Sequence, residues 1–234
     1  MASWNDKLSI AARAGNNEFV EDCLANGANV KFKDKSGLTP LHRAAFNGNE
    51  ATVSLLISRG ADIDSKNNKA WTPLYCAVSK GHTATADMLI TKGADIESKN
   101  KNAWTPLYCA VSEGHTATAD ILITKGADIE SKNKNAWTPL YCAVSEGHTA
   151  TADILITKGA DIESKNKNGW TPLHKAAFNG HDATVSLLIS RGADINCKDN
   201  DGWTPLHRTA FNGKEATVSL LISRGADIDS KDKD

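Results

Sequence analysis

The chain has 234 residues, with 27 Lys and Arg against 28 Asp and Glu, for a formal net charge of −1. That balance argues against a protein-wide electrostatic pull toward nucleic acid or an anionic membrane. No apolar run approaches the length of a signal segment or a membrane-spanning helix, which reads as an intracellular protein, cytoplasmic or nuclear.

The first predicted element covers Leu8 to Val30, where Ala11 and Ala12 precede Gly15 and the segment closes on Gly27-Ala28-Asn29-Val30. Next comes Thr39-Pro40-Leu41. The same tripeptide returns at Thr72, Thr105, Thr138, Thr171 and Thr204, always after 33 residues. A fixed period of this length means one small supersecondary unit stacked on copies of itself. In each copy Thr39 or its equivalent can cap a helix with its hydroxyl, and Pro40 suits the first helical position. That helix turns Leu41, Ala44 and Ala45 inward and stops at Gly48. A second helix carries Val53, Leu55, Leu56 and Ile57 as far as Gly60. The polar stretch from Asp62 to Ala70 then forms a projecting hairpin. Two short helices cannot bury an apolar face alone, so stability is a sum of unit and interface terms.

The 33-residue period, the Thr-Pro-Leu-His core and the turn-plus-two-helices unit resemble the ankyrin repeat. The resemblance implies an all-α ankyrin-repeat solenoid with short β-hairpin loops, forming a single domain over residues 1–234. Residues 1–33 form an N-terminal capping repeat that lacks Thr-Pro. Repeats follow at 34–66, 67–99, 100–132, 133–165, 166–198 and 199–231. It also implies a non-catalytic module that binds a protein partner through its concave face and hairpin tips. The histidines His42, His174 and His207 resemble the family's hydrogen-bonding histidine, which ties neighbouring units together. Tyr75, Tyr108 and Tyr141 replace it in the central units and put that network in doubt.

The repeats fall into two classes. Residues 103–135 and 136–168 are identical, and 70–102 differs only by Lys80 for Glu and Met88 for Ile. The units starting at Gly37, Gly169 and Gly202 share the run Ala-Thr-Val-Ser-Leu-Leu-Ile-Ser instead. The differences are paired. Ala45 and Val53 of the flanking class become Val78 and Ala86 of the central class, a volume-conserving swap that predicts contact between the two positions. His42 and Phe46 become Tyr75 and Ser79, which moves an aromatic four residues along one helical face.

Catalytic signals are lacking: there is no nucleophile–base motif, no phosphate loop and no Cys-x-x-Cys pair. Cys76, Cys109 and Cys142 recur at the repeat period, with Cys23 and Cys197 outside it. Stacked helices would hold that ladder about 8–10 Å apart, too far for disulfides. His82, His115 and His148 are read as structural, because the same spacing is too wide for one metal ion. No cofactor is expected.

The partner-binding candidates are Trp71, Trp104, Trp137 and Trp170, Tyr108 and Tyr141, and the ridge positions Ser112, Glu113, Ser145 and Glu146. Large aromatics are enriched in binding hot spots, although these tryptophans, with Trp203, could instead pack on the next hairpin. Lys66, Lys99, Lys132, Lys165 and Lys198 read as a solvated rim. Beside the tryptophans they permit single-stranded nucleic acid binding, which the interspersed Glu97, Glu130 and Glu163 oppose. Near-identical repeats also allow a passive spacer or a consensus-like scaffold. Asn196 resembles the asparagine that hydroxylases modify in this family. Finally, Glu18, Glu21 and Asp22 give the first repeat a polar outer face, whereas the helix at Ala216 repeats an internal run. The expectation is that the chain belongs to a longer array, or that this end stacks on another molecule, including a second copy.

Overall fold

The computed structural model describes residues 3–231. They fall into two compact units divided after Ala127. The first holds four helix pairs: α1 (Trp4–Ala14) with α2 (Asn17–Ala25), α3 (Pro40–Phe46) with α4 (Glu50–Ser58), α5 (Pro73–Val78) with α6 (Thr83–Thr91), and α7 (Pro106–Ser112) with α8 (Thr116–Thr124). The second holds three: α9 (Pro139–Glu146) with α10 (Thr149–Thr157), α11 (Pro172–Asn179) with α12 (Asp182–Ser190), and α13 (Pro205–Phe211) with α14 (Glu215–Ser223). Within each unit, first helices pack on first helices and second helices on second helices.

The repeat motif acts as its residues predict. Thr39 Oγ1 accepts the His42 backbone N–H at 3.3 Å, and Pro40 opens α3 with no donor to satisfy. The same cap recurs from Thr72 to Tyr75 at 3.2 Å and from Thr138 to Tyr141 at 3.2 Å. Beyond α3 the chain turns at Gly48, whose φ of 71° is the left-handed stop. Leu41, Ala44, Ala45, Val53 and Leu56 are fully buried, so the apolar faces meet as expected. The exchanged pairs Ala45 and Val53, Val78 and Ala86, and Val111 and Ala119 all sit at 0% exposure. All five cysteines are free and buried, and burial pushes the Cys76 thiol up to about 12.

The connecting arms differ from the expected β-hairpins, for no strand forms among the described residues. A side chain substitutes for the ladder. Asn67 Oδ1 accepts the backbone N–H of Lys69 at 2.8 Å and of Trp71 at 3.0 Å, while Asn67 N–H donates to the Trp71 carbonyl at 3.0 Å. Such local Asx bonding competes with extended pairing. At the arm tip the flanking class uses Gly37 at φ 75° and the central class Ala70 at φ 60°, a left-handed conformation that costs an alanine free energy.

The two ends of the chain are unlike. Glu18 and Asp22 are exposed, but Glu21 pairs with Arg59 of the following repeat and is therefore an inter-repeat contact, not part of the outer face. In the last repeat Phe211 is 75% exposed, Ile222 47% and Ile228 67%. Val218 is half-buried, whereas its counterpart Val185 is fully buried.

Candidate functional site

Each tryptophan before Thr-Pro is fixed at its backbone before its ring is considered. Asn100 Oδ1 accepts the Trp104 N–H at 3.0 Å, and Asn133 and Asn166 do the same for Trp137 and Trp170 at 3.1 and 3.0 Å. The carbonyls serve too: Nε2 of His42 donates to the Trp71 carbonyl and Nε2 of His174 to that of Trp203, both at 2.9 Å. These histidines tie a first helix to the next arm, as the resemblance implies. Burial holds both imidazoles below their ordinary pKa.

The central class replaces that tie. The Tyr75 hydroxyl accepts from Asn100 Nδ2 at 3.1 Å, and Tyr141 from Asn166 Nδ2 at 3.0 Å. Burial raises both phenols well above their usual range. The inter-repeat link survives with a new donor.

The tryptophan rings are half-buried and rest on an aromatic of their own repeat. Trp71, Trp104 and Trp137 lie 4.9, 4.8 and 5.1 Å from Tyr75, Tyr108 and Tyr141. Trp170 and Trp203 lie 5.2 and 5.5 Å from Phe178 and Phe211. This explains the four-residue shift between classes: the supporting ring moves one helical turn while the tryptophan stays. Tyr108 and Tyr141 are thus interior residues, 2% and 3% exposed, standing behind their tryptophans. Ser112 and Ser145 are half-buried beside them, and Glu113 and Glu146 project into solvent. Near the end of the second unit, the Arg208 guanidinium lies 4.9 Å from the Trp170 ring and 4.5 Å from the Trp203 ring. Asp199 and Asp201 each hold it at 2.6 Å.

Several polar contacts between repeats have no single-repeat signature. His82 lays its ring against Gly48, where a Cβ would come within 2.7 Å, and its Nε2 donates to the Phe46 carbonyl at 3.1 Å. His181 does the same against Gly147, with its Nε2 donating to the Ser145 carbonyl at 3.1 Å. Structural use of these histidines accounts for the absence of any side chain on the facing glycine. Along the arms, Glu130 accepts the Asp161 N–H at 2.8 Å and Glu163 the Asp194 N–H at 2.7 Å, and partial burial raises both carboxyls. Asn196 stands in the same row and accepts from Asp227 N–H at 2.9 Å. Lys165 and Lys198 donate to the Lys198 and Lys231 carbonyls at 3.1 and 2.6 Å, so these two lysines bridge arms. The glycine tips interlock as well. Asn68 N–H reaches the Ser36 carbonyl at 3.0 Å because Gly37 leaves room, and Asn200 N–H reaches Asn168 at 3.1 Å beside Gly169. Where the tip is Ala70, Ala103 or Ala136, the next arm carries Lys101, Lys134 or Lys167 in place of that asparagine.

Among the described residues no group of three or more His, Cys, Asp or Glu could hold a metal ion, and no helix is long and apolar enough to cross a membrane. A scan against protein families matches ankyrin repeats (3 copies) at residues 8–100, 89–166 and 155–232. The fold is similar to the crystal structure of the human ASB11 ankyrin repeat domain. The two share 26% identity over 94% of this chain and 98% of that one, with a TM-score of 0.83. Comparison with curated proteins gives no match.

Proposed function

The chain belongs to the ankyrin-repeat family, and we propose that it is a non-catalytic interaction module that recognises a protein partner through the part-exposed tryptophans of each unit and the first-helix residues beside them. The observation that supports this is the preorganisation of the rings. Trp71, Trp104, Trp137 and Trp170 are part-exposed, yet each is fixed by backbone bonds and a supporting aromatic. A rigid aromatic loses little entropy on binding and makes a natural anchor. Ser112, Glu113, Ser145 and Glu146 would set specificity beside them, while Tyr108 and Tyr141 hold the rings from behind. The test is a pull-down with the intact chain against a variant carrying Glu113→Lys and Glu146→Lys, which leaves the packing intact, and a second carrying Trp104→Ala and Trp137→Ala. Loss of the same captured partner in both supports the reading. Retention of that partner in both sinks it, and capture of no partner by the intact chain leaves the passive spacer, which the near-identical repeats suit.

A second reading is end-to-end self-association, favoured by the exposure of Phe211, Ile222 and Ile228. Sedimentation of the wild type and of Phe211→Ser would separate a concentration-dependent dimer from a monomer. Asn196 is the one arm residue of its row suited to hydroxylation. Peptide mass spectrometry after expression in a eukaryotic host would show an added oxygen there or dispose of the idea.

A further inference from the structure

The first three repeats enclose a groove whose charge sets it apart. Its volume is ≈ 450 Å³, and it runs between the first helices and the arm tips. Arg13, Lys35, Arg43 and Lys69 line it around Phe46 and Trp71, with no carboxylate among the lining residues. Asp34 is bound to Arg43 at 2.6 Å and held below the usual carboxylate range: burial is the largest influence and opposes that shift, but the hydrogen bonds from Arg43 and from the Leu38 and Ser36 amides together outweigh it. The corresponding groove of the second unit is smaller, ≈ 360 Å³, and of ionic side chains only Lys167 and Lys175 line it.

A second observation points to the same place. Residues 70–102 and 103–135 differ at two positions, and the one that changes charge puts Lys80 where the other copies have Glu113 and Glu146. Lys80 is not buried in its own repeat. Its Nζ lies 4.9 Å over the ring of Phe46, on the groove wall. The only charge reversal among three near-identical repeats therefore adds a cation beside a groove already lined by four.

We propose that this groove docks an acidic peptide segment bearing one aromatic or aliphatic anchor. The inference rests on the reading of the chain as an interaction module and names the partner chemistry for one part of it. The anchor fills the space between Phe46, 39% exposed, and the Trp71 ring. Flanking carboxylates meet Arg13, Arg43 and the three lysines, whose field speeds encounter and fixes register. A peptide suits the groove better than a nucleic acid. The groove belongs to a chain with net charge −1, and the first helix of the next repeat carries Glu113.

The experiment is selection of a random dodecapeptide display library on the full chain, followed by fluorescence anisotropy of the selected peptides. Lys80→Glu is the main variant, since glutamate is already tolerated at Glu113 and Glu146; Arg13→Glu is the second. The expected result is acidic peptides with a single apolar anchor, weakened about fivefold or more by each variant and further by salt. Neutral or basic peptides, no enrichment, or acidic peptides indifferent to both variants would overturn the proposal. Acidic peptides that ignore both variants but are lost on Trp104→Ala and Trp137→Ala would overturn it while leaving the broader reading standing. Displacement of the peptide by equimolar oligo-dT would overturn it in favour of a nucleic acid.

Discussion

The central repeats, 67–99 to 133–165, and the flanking repeats, 34–66, 166–198 and 199–231, build the same helix pair from different residues. Where the central class buries Val78 and Ala86, the flanking class buries Ala45 and Val53, and every one of these side chains is at 0% exposure. Trp104 leans on Tyr108 and Trp170 on Phe178. His42 grips the Trp71 carbonyl; Tyr75 takes a bond from Asn100. Each class is a matched set, so transplanting one residue alone breaks something.

The border between the sets does not fall at the repeat boundary. Repeat 166–198 has the helices of the flanking class, yet its arm begins with Asn166 where Asp34 and Asp199 stand in the other two. The reason is its neighbour, for Asn166 must donate to the Tyr141 hydroxyl, which an aspartate cannot do. Where aspartate does stand, an arginine nine residues on receives it: Arg43 for Asp34 and Arg208 for Asp199. An arm residue therefore answers to two repeats at once.

The largest expected difference concerns the last repeat, whose apolar side chains are the most exposed. Hydrogen exchange should show residues 203–231 opening well before the amides of α7 and α8, because Phe211, Ile222 and Ile228 are exposed and Val218 is half-buried, so this repeat buries less apolar surface. Equal protection in a dilute monomer would contradict this; equal protection only at high concentration would point to end-to-end stacking.

Next comes acid sensitivity. In the folded chain burial resists protonation of His42 and His174, while the same histidines in the unfolded chain titrate at about 6.5. Below that pH the unfolded chain takes up protons that the folded chain refuses, so stability present at neutral pH is lost as pH falls. Tyr75 and Tyr141 of the central class, raised by burial, do not titrate in that window. Opening of α3 and α4 should become easier from pH 7.5 to 5.5 while that of α7 and α8 holds, and His42→Gln should flatten the response.

A smaller effect is expected from Tyr75→Phe. It keeps the ring under Trp71 but strips the acceptor from Asn100 Nδ2, at a cost of about 1 kcal/mol in urea melts. No change in midpoint would mean that water replaces the hydroxyl. The smallest effect belongs to Ala70→Gly, which relieves a left-handed alanine but frees the unfolded chain. The two terms leave a gain of about 0.5 kcal/mol, and any clear loss of stability would show that the alanine methyl has a packing role.

Much of this was legible in the sequence, and the reason lies in the period. Thr39, Pro40 and Gly48 act within a few residues of themselves, so their roles follow from local rules that the structure repeats. The aromatic exchange was legible too, because His42/Phe46 against Tyr75/Ser79 is a one-turn shift on a helix. What escaped was contact between repeats at separations of 31 to 36 residues: Glu130 with Asp161, His181 with Ser145, Asn68 with Ser36. Those depend on how far one arm slides along the next, which no periodicity encodes. The arms read as hairpins because turn residues bracket them, but Asn67 spends its side chain on the bonds a ladder would make. Tyr108 and Tyr141 stand among the partner-binding candidates by residue type, but the structure buries them behind Trp104 and Trp137. Lys80 was visible as a difference between copies, but its place over Phe46 was not.

The claim that each class is a matched set is tested most directly by a double-mutant cycle at Val111 and Ala119, measured as urea unfolding free energies. Val111→Ala alone should leave a void and cost about 1–2 kcal/mol, and Ala119→Val alone should overpack the fully buried site at a similar cost. Together they recreate the pairing of Ala45 with Val53, and the double variant should return to within about 0.5 kcal/mol of the wild type, a coupling well above the limit for independent sites. If the two costs simply add, the positions do not compensate each other and the matched-set account fails.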